Sequence, residues 1–375
     1  MYFRDVVGQE EVKAHLIRSV QNGVVPHALL FSEREGYGAF PLALAYARYL
    51  NCANRTGTDA CGHCPSCLKY DELAHPDLHF VFPIVAKKDK KKEICDDYLP
   101  EWREFLRKSP YFSLDDWLDF IEAGNSQAII YARESDEIIH KLSLKTYEAD
   151  YRVLLVWLPE RLHPSCANKL LKLVEEPPAN TAIIMVSEEP DAVLGTILSR
   201  TQRIQLRPIE TELMRSALRE RFGLSPDDAG QVAHLSAGSF TEAIRVISLD
   251  EENRLFLEFF KNMMRDSWAR NVRGMKAMSD ELATIGRERQ KNFLAYCQHL
   301  LRENFMCRFR SPEMNYMNRE ENNFATKFAP FINERNVMDI MEELARAEAH
   351  VGQNVNAKMV FFDLSLRLAV LIRRA

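Results

Sequence analysis

Apolar residues in the first two hundred positions form short compact runs separated by helical stripes. Three runs have the length of buried strands: 28–31, 153–157 and 182–186. Between the second and third runs, apolar residues recur on one helical face until Pro177-Pro178 ends the pattern. A glycine-bearing loop follows the first run and leads into another predicted helix. This alternation of strands and helices predicts a parallel sheet covered by helices.

The pattern becomes helical throughout after residue 208. We expect a small bundle over 208–250 and longer amphipathic helices over 251–375. Most of the apolar stripes are expected to form core, although some could pack against another subunit. The bundle residues are Leu213, Leu218, Val232, Leu235, Ile244 and Ile247, and two further stripes are Phe293, Leu294, Cys297, Leu300, Leu301 and Val360, Leu364, Leu368, Leu371, Ile372.

Residues 83–127 do not follow the alternation of strands and helices, and we interpret them as an insertion. Ser113 to Asp116 has the pattern of a capping box, so the insertion is expected to contain short helices. Lys87 to Lys92 holds five lysines around one aspartate. Such a run is typical of a solvated loop rather than of a DNA-binding patch.

Composition and charge narrow the class of protein. The 375 residues include 14 glycines, about half the average share of roughly 7%, which favours long helices. The formal charge of −5 argues against a protein that coats nucleic acid by bulk electrostatics. The N-terminal residues lack the pattern of a signal peptide, and no stretch approaches the roughly 20 apolar residues of a membrane span. We therefore expect a cytoplasmic protein, without membrane attachment, whose thiols stay reduced.

Four of the eight cysteines lie in one short window, with the spacing Cys52-x8-Cys61-x2-Cys64-x2-Cys67. Four thiolates at this spacing match a tetrahedral Zn²⁺ site in which protein fills every position. Since no position is left for a water nucleophile, the metal is predicted to be structural. His63 could replace one thiol, and the alternatives to a metal site are redox-active thiols or a chance cluster.

The loop after the first strand lies where a phosphate-binding loop belongs, but its chemistry is altered. On the pattern G-x-x-x-x-G-K-[ST], Glu33 takes the first glycine, Gly38 the second, Ala39 the lysine and Phe40 the hydroxyl. Glu33 adds a negative charge, Ala39 removes a cation and Phe40 cannot hold Mg²⁺, so each change opposes nucleotide binding. Gly36 and Gly38 alone are also compatible with an ordinary strand-to-helix turn.

Several short motifs accompany the altered loop and the cysteines in a fixed order over residues 1–207. Together they resemble the delta-prime subunits of the bacterial DNA polymerase III clamp loader, whose ATP-binding relatives are the tau/gamma subunits. The motifs are Asp5-Val6-Val7-Gly8-Gln9, His27-Ala28-Leu29-Leu30-Phe31, Leu50-Asn51-Cys52, His75-Pro76-Asp77, Asn168-Lys169-Leu170-Leu171-Lys172, Glu175-Glu176-Pro177-Pro178 and Ile197-Leu198-Ser199-Arg200.

The resemblance implies an α/β AAA+ domain with a RecA-like parallel sheet over 1–207, which carries a zinc module at 52–67 and the insertion at 83–127. It further implies a helical lid over 208–250 and an all-α collar over 251–375 that joins subunits into a ring. Its partners would be the delta and tau/gamma subunits, through the collar and AAA+ faces, and the sliding clamp and primed DNA through the assembled complex. The implied process is ATP-driven clamp loading during replication, as a component of the polymerase holoenzyme.

The sequence departs from the ATP-binding relatives at three places that would serve ATP. Besides the altered loop, the family's acidic pair falls on Trp157 and Leu158, and its phosphate-sensing arginine falls on Thr241. Because the loop, the acidic pair and the sensor are all lost, we expect no ATP at the chain's own site and no intrinsic ATPase activity.

Arg200 is retained, in the motif Ser199-Arg200-Thr201, where Thr201 replaces a cysteine of the family. The resemblance implies that Arg200 acts in trans as an arginine finger on the neighbour's ATP, with Ser199 as its motif neighbour. Arginine suits this task because its planar fork is always charged and bonds phosphate oxygens bidentately. The sequence therefore predicts a non-catalytic subunit that braces the ring and supplies Arg200.

Two other functions stay open on the sequence. A divergent but active AAA+ ATPase would bind ATP as an isolated chain, which Glu33, Ala39 and Phe40 oppose. A zinc-containing nucleic-acid-binding protein outside replication would need a concentrated basic face, and the sequence offers only the lysine run at 87–92.

Overall fold

The computed structural model describes residues 1–86, 92–124, 126–144, 146–306 and 319–374. The lysine run predicted as a solvated loop lies outside these residues, apart from Lys92. The chain forms two compact units, Met1–Ile247 and Ser248–Ala375. The finer boundaries of the lid and collar, at 208 and 251, stay predictions.

The first unit contains a five-stranded sheet in which every neighbouring pair of strands is parallel. This sheet confirms the predicted α/β class, and the three apolar runs are its strands β1, β3 and β4. In order across the sheet the strands are β2 (Leu78–Val81), β3 (Arg152–Trp157), β4 (Thr181–Ser187), β1 (Ala28–Ser32) and β5 (Gln202–Gln205).

Helices cover the sheet and connect its strands. All twelve residues of α2 are buried, because this helix is apolar on every side and packs directly against the sheet. The helices are α1 (Glu10–Gln21), α2 (Ala39–Leu50), α3 (Pro65–Asp71), α4 (Leu99–Lys108), α5 (Leu114–Phe120), α6 (Glu134–Ser143), α7 (Pro164–Glu175) and α8 (Gly195–Leu198).

In the segment 83–127, predicted to be an insertion, the described residues include α4 and α5, and their aromatic side chains lie in the core of the first unit. The capping box predicted there is present, because Ser113 Oγ accepts the Asp116 N–H at 3.2 Å and an Asp116 carboxylate oxygen accepts the Ser113 N–H at 2.8 Å. Trp102 of α4 is fully buried and stacks on Phe82, with ring centroids 4.1 Å apart. Its ring also lies 5.5 Å from that of Trp157 on β3, so the insertion is joined to the sheet.

Beyond residue 208 every regular element among the described residues is helical. The first unit ends with α9 (Thr211–Phe222), α10 (Pro226–Leu235) and the start of α11 (Phe240–Ala269). Their core is built on Met214, Leu218 and Phe240. The predicted bundle residues Leu213 and Leu235 are not part of it, since they are 40% and 65% exposed.

Among its described residues, the second unit contains the remainder of α11 and five further α-helices, which share one apolar core. The stripes predicted on the last part of the chain are confirmed as core, with all their residues buried. In the described part of the chain, no helix is both long and apolar enough to cross a membrane. The helices are α12 (Val272–Leu282), α13 (Arg287–Met306), α14 (Arg319–Phe328), α15 (Val337–Gly352) and α16 (Ala357–Leu371).

Candidate nucleotide cleft, cysteine cluster and arginine site

The altered loop joins β1 to α2, and the Glu33 carboxylate folds back onto the start of that helix. Glu33 Oε2 accepts a hydrogen bond from the Ala39 N–H at 2.9 Å. Gly36 and Gly38 have positive φ angles of 88° and 103°, which bring the chain around Glu33. A helix N-terminus with its free N–H groups is where a phosphate would bind, so the Glu33 carboxylate occupies the place of the anion.

The charge around this loop is unfavourable for a nucleotide. Burial raises the pKa of the Glu33 carboxyl, the Ala39 N–H opposes this shift, and the nearby Glu188 charge adds to it. Burial, with Glu35 and Glu160, raises the pKa of Glu188 to about 8. The burial and neighbouring acids that disfavour a charged carboxyl group here would also disfavour the negative charge of an added phosphate.

Aromatic side chains fill the rest of the cleft. The Phe40 ring meets those of Phe112 and Trp157 edge to face, with centroids 5.0 and 6.3 Å away. About 10 Å³ remains for a water-sized molecule, at the lower limit of the roughly 10–15 Å³ that one water needs. The cleft is lined by Glu33, Gly36, Gly38, Phe40, Pro41, Pro110, Tyr111, Phe112, Trp157, Glu188 and Thr241.

Trp157 and Thr241, which stand where the ATP-binding relatives have an acidic residue and an arginine, both line this cleft. Trp157 is buried at the end of β3, where its ring packs on Phe112. Leu158, the other position of the acidic pair, is 3% exposed and has a positive φ of 55°. Thr241, at the sensor position, is buried near the start of α11, and its Oγ1 has no hydrogen-bond partner among the described residues. None of these side chains is a carboxylate that could hold Mg²⁺ or a cation that could contact phosphate.

Tyr111 of the insertion joins the cleft to the helices after residue 208. Its hydroxyl accepts a hydrogen bond from the Val7 N–H at 2.9 Å, and its ring lies 4.6 Å from that of Phe240. The Phe240 N–H in turn donates to the Gly36 carbonyl oxygen at 2.8 Å. A Cβ on Gly36 would lie 2.2 Å from Ser239 Oγ, so only glycine allows this close approach. Sequence reasoning missed Tyr111, for which the aromatic content of the insertion was the only signal.

Truncation of Tyr111 tests how much this connection contributes to stability. Tyr111→Ala is expected to lower the free energy of unfolding of the first unit by about 3–5 kcal/mol, the cost of truncating a buried aromatic ring. Tyr111→Phe should cost about 1–3 kcal/mol, because it only leaves the buried Val7 N–H unpaired. Urea unfolding of the full chain followed by far-UV circular dichroism measures both. Equal stability of Tyr111→Ala and wild type would contradict the packing described.

The four predicted cysteines come together in one cluster. Their Sγ atoms all lie within 4.8 Å of one another, and those of Cys61 and Cys67 are 4.0 Å apart. A tetrahedral site with Zn–S distances of about 2.3 Å places its sulfur atoms about 3.8 Å apart, so the donor set fits such a metal. The imidazole Nδ1 of His63 lies 3.0 Å from the Cys61 carbonyl oxygen, and His63 is not part of the cluster.

Local backbone geometry holds the cysteine sulfurs in place. Cys64 is the N-cap of α3 and accepts the Cys67 N–H at 3.4 Å, and the Cys61 N–H donates to Cys52 Sγ at 3.2 Å. Burial raises the pKa of Cys52 and Cys67. Burial also raises that of Cys61, but backbone N–H groups outweigh it and lower this pKa to about 6. A bound cation would keep the remaining thiols deprotonated.

Arg200 lies away from the cleft, directly after the short helix α8 and Ser199. Its Nε donates to Glu175 Oε2 at 3.1 Å, and its Nη1 donates to the Thr196 carbonyl oxygen at 3.0 Å and to Ser199 Oγ at 3.2 Å. The Arg200 side chain is 33% exposed. The guanidinium group is therefore held at the surface and is not among the groups that line the cleft.

In the parallel sheet, β1 lies between β4 and the edge strand β5, and the loop after β1 leads into α2. This arrangement is that of an AAA+ protein. A family model described as "DNA polymerase III, delta subunit" matches residues 8–210, and the chain belongs to this family. The resemblance drawn from the sequence motifs is confirmed at this level.

Curated relatives carry names from the same polymerase. The chain is 28% identical over 252 residues to "DNA polymerase III subunit gamma/tau" of Mycobacterium tuberculosis, which covers 66% of this chain and 36% of the relative. It is similar to "DNA polymerase III subunit delta'" of Bacillus subtilis (26%, covering 65% and 60%) and of Escherichia coli (28%, covering 63% and 58%). The chain thus spans about a third to three fifths of the length of these relatives.

Proposed function

We propose that the chain is a non-catalytic, delta-prime type subunit of a DNA polymerase III clamp loader, which braces an AAA+ ring and supplies Arg200 to a neighbouring ATP site. One observation carries this proposal. The Glu33 carboxyl group accepts the Ala39 N–H at the start of α2, where a phosphate would bind, while the Arg200 side chain stays partly exposed. The family match and the names of the relatives support the clamp-loader part.

The chain's own site would not bind or hydrolyse ATP. Ala39 provides no cation for the phosphates, and Trp157 and Leu158 provide no ligand for Mg²⁺. A nucleotide would have to displace both the Glu33 carboxylate and the rings of Phe40, Phe112 and Trp157. These features argue against a divergent but active ATPase.

Arg200 would act on ATP bound by the adjacent subunit. A guanidinium group has five N–H donors in a fixed planar arrangement. The three hydrogen bonds described for Arg200 use only Nε and Nη1. Nη2 makes no hydrogen bond within the described residues and could donate to the γ-phosphate. Its positive charge would stabilise the negative charge that develops there during hydrolysis.

The partners proposed are the delta and tau/gamma subunits, through the predicted collar and the faces of the AAA+ domain. The sliding clamp and primed DNA would be contacted by the assembled complex, in the cytoplasm where the chromosome is replicated. We further propose that Cys52, Cys61, Cys64 and Cys67 hold one structural Zn²⁺ ion, which stabilises the segment between α2 and α3 without taking part in ATP chemistry.

Two measurements on the full chain test the proposal. An affinity-tagged chain purified from its own cells should carry delta and tau/gamma subunits in stoichiometric amounts, identified by mass spectrometry. Equilibrium dialysis of the isolated chain with labelled ATP should detect no binding up to millimolar ATP, with the cognate tau/gamma subunit as the positive control. Micromolar ATP binding, or purification without any loader subunit, would overturn it.

A further inference from the structure

Glu175 is the last residue of α7 and forms an ion pair with Arg200. Glu175 Oε2 accepts from Arg200 Nε at 3.1 Å. The contact joins two segments that are 25 positions apart, the end of α7 and the turn after α8. Both side chains are partly exposed, at 56% for Glu175 and 33% for Arg200.

The Glu175 carboxylate does not stabilise the end of helix α7. The C-terminus of a helix carries a partial negative charge, so acidic residues there are unfavourable and cations are favoured. Here α7 ends on Glu175, and Glu176 follows as its C-cap. Glu176 is exposed and forms no ion pair within the described residues. The Arg200 guanidinium compensates the charge of Glu175 alone.

The pair has a larger effect on orientation than on stability. Exposed ion pairs contribute little to the free energy of folding. With Nε fixed by Glu175 and Nη1 fixed by Thr196 and Ser199, however, the plane of the guanidinium group is set by three contacts. Nη2 is left without a hydrogen bond to any described residue.

We infer that Glu175 is a positioning residue for Arg200, which holds Nε so that Nη2 is presented to the neighbour's ATP. This inference rests on the proposed function, because it assigns a role to Arg200 in trans. Glu175 itself contacts neither the nucleotide nor the reacting atoms. It restricts the orientations that the Arg200 guanidinium group can adopt.

Glu175→Gln is the informative variant, since it removes the charge and keeps the shape of the side chain. Glu176→Gln is the matched control, one position away on the same helix end. In a reconstituted loader, Glu175→Gln is expected to lower the kcat of DNA-stimulated ATP hydrolysis about threefold to tenfold with KM for ATP unchanged, because positioning acts on the chemical step. Glu176→Gln is expected to match wild type.

Two further readouts separate positioning from a merely structural role. In the double variant Glu175→Gln, Arg200→Ala, the loss should equal that of Arg200→Ala alone, because Glu175 acts only through the arginine. In the isolated chain labelled with ¹⁵N-arginine, the Arg200 Nε–H signal should exchange faster with water in Glu175→Gln than in Glu176→Gln.

The possible results distinguish the two proposals. If Arg200→Ala lowers ATP hydrolysis but Glu175→Gln changes neither the rate nor the Nε–H exchange, the positioning role is wrong and the finger role stands. Losses that add fully in the double variant would also overturn the positioning role. If Arg200→Ala has no effect on the loader, the finger role is wrong. The positioning role is then wrong as well, even if the Nε–H exchange shows that the ion pair forms.

Discussion

Replacing Cys64 and Cys67 with serine is expected to abolish metal binding and to unfold the segment 52–67. This segment contains only the first turn of one short helix, α3, and three of its four clustered cysteines are buried. Binding of structural zinc contributes on the order of 10–16 kcal/mol in zinc-finger peptides, far more than so short a segment gains by packing. A hydroxyl group is a poor substitute for a thiolate ligand of zinc.

The damage should extend beyond the cysteine segment. Asp59, inside it, accepts the N–H groups of Phe3 and Arg4, each at 3.1 Å, and so ties the segment to the N-terminus. Cys52 and Cys67 are also packed in the main core of the first unit. We therefore expect the double serine variant to lower the Tm of this unit by more than about 5 °C, the effect of a few kcal/mol on a domain of this size.

Elemental analysis and thermal unfolding, both with the full chain, measure these effects. Wild type should carry one zinc per chain, and Cys166→Ala, which removes a buried thiol outside the cluster, should keep it. A wild-type protein purified without zinc, or a serine variant with unchanged Tm, would contradict the metal assignment.

Arg200→Ala is expected to lower DNA-stimulated ATP hydrolysis and clamp loading by the reconstituted complex about tenfold or more. Arginine fingers supplied in trans to GTPases are worth on the order of 10³–10⁵ in rate, and a ring with several coupled ATP sites should respond less strongly. Arg200→Lys should restore little of the rate, because a lysine has one point charge and no planar fork. The Arg200 side chain is partly exposed and its contacts lie at the surface, so folding should be little affected.

Arg203→Ala provides the matched control for the loss of one arginine. Arg203 lies three positions further along, exposed on the edge strand β5. Its replacement should leave hydrolysis, clamp loading and assembly at wild-type levels. The finger role would be contradicted by Arg200→Ala complexes that assemble and load clamps as fast as wild type.

Apolar sequence patterns were enough to predict the central strands of the sheet but not its edge strands. The central strands β1, β3 and β4 are buried at every position, since both faces of the sheet are covered, and apart from polar residues at their ends they are apolar, so their runs could be predicted directly. The edge strand β5 has the sequence Gln-Arg-Ile-Gln and is mostly exposed, so no apolar pattern marks it. The strand β2 has only four residues, including His79.

The helices after residue 208 show a different limit. In α9 the predicted core residue Leu213 is 40% exposed, while its neighbour Met214 is fully buried. Helical periodicity locates an apolar face to within one position, and packing decides which of two adjacent apolar residues turns inward. Leu235, at the end of α10, is also exposed, while Ala233 of the same helix belongs to the core.

The cleft has features that can be predicted from the sequence and others that cannot. The departures from the phosphate-loop pattern at Glu33, Ala39 and Phe40 are visible in the sequence, because that pattern is local. The filling of the cleft could not, since Tyr111 meets Val7 across 104 positions of sequence. Nor does any local pattern indicate that Glu175 lies beside Arg200. Contacts of this kind depend on the tertiary fold, which brings distant segments together.

In the proposed complex, no ATP binds in this chain's own cleft. Arg200 instead contacts the ATP that is bound by the neighbouring subunit. Electron cryomicroscopy of the reconstituted loader, bound to the sliding clamp and a non-hydrolysable ATP analogue, tests this claim most directly. We predict no nucleotide density beside Glu33, and the Arg200 guanidinium within hydrogen-bonding distance of the neighbour's γ-phosphate. Nucleotide bound at the start of α2 in this chain, with Arg200 remote from every phosphate, would contradict the claim.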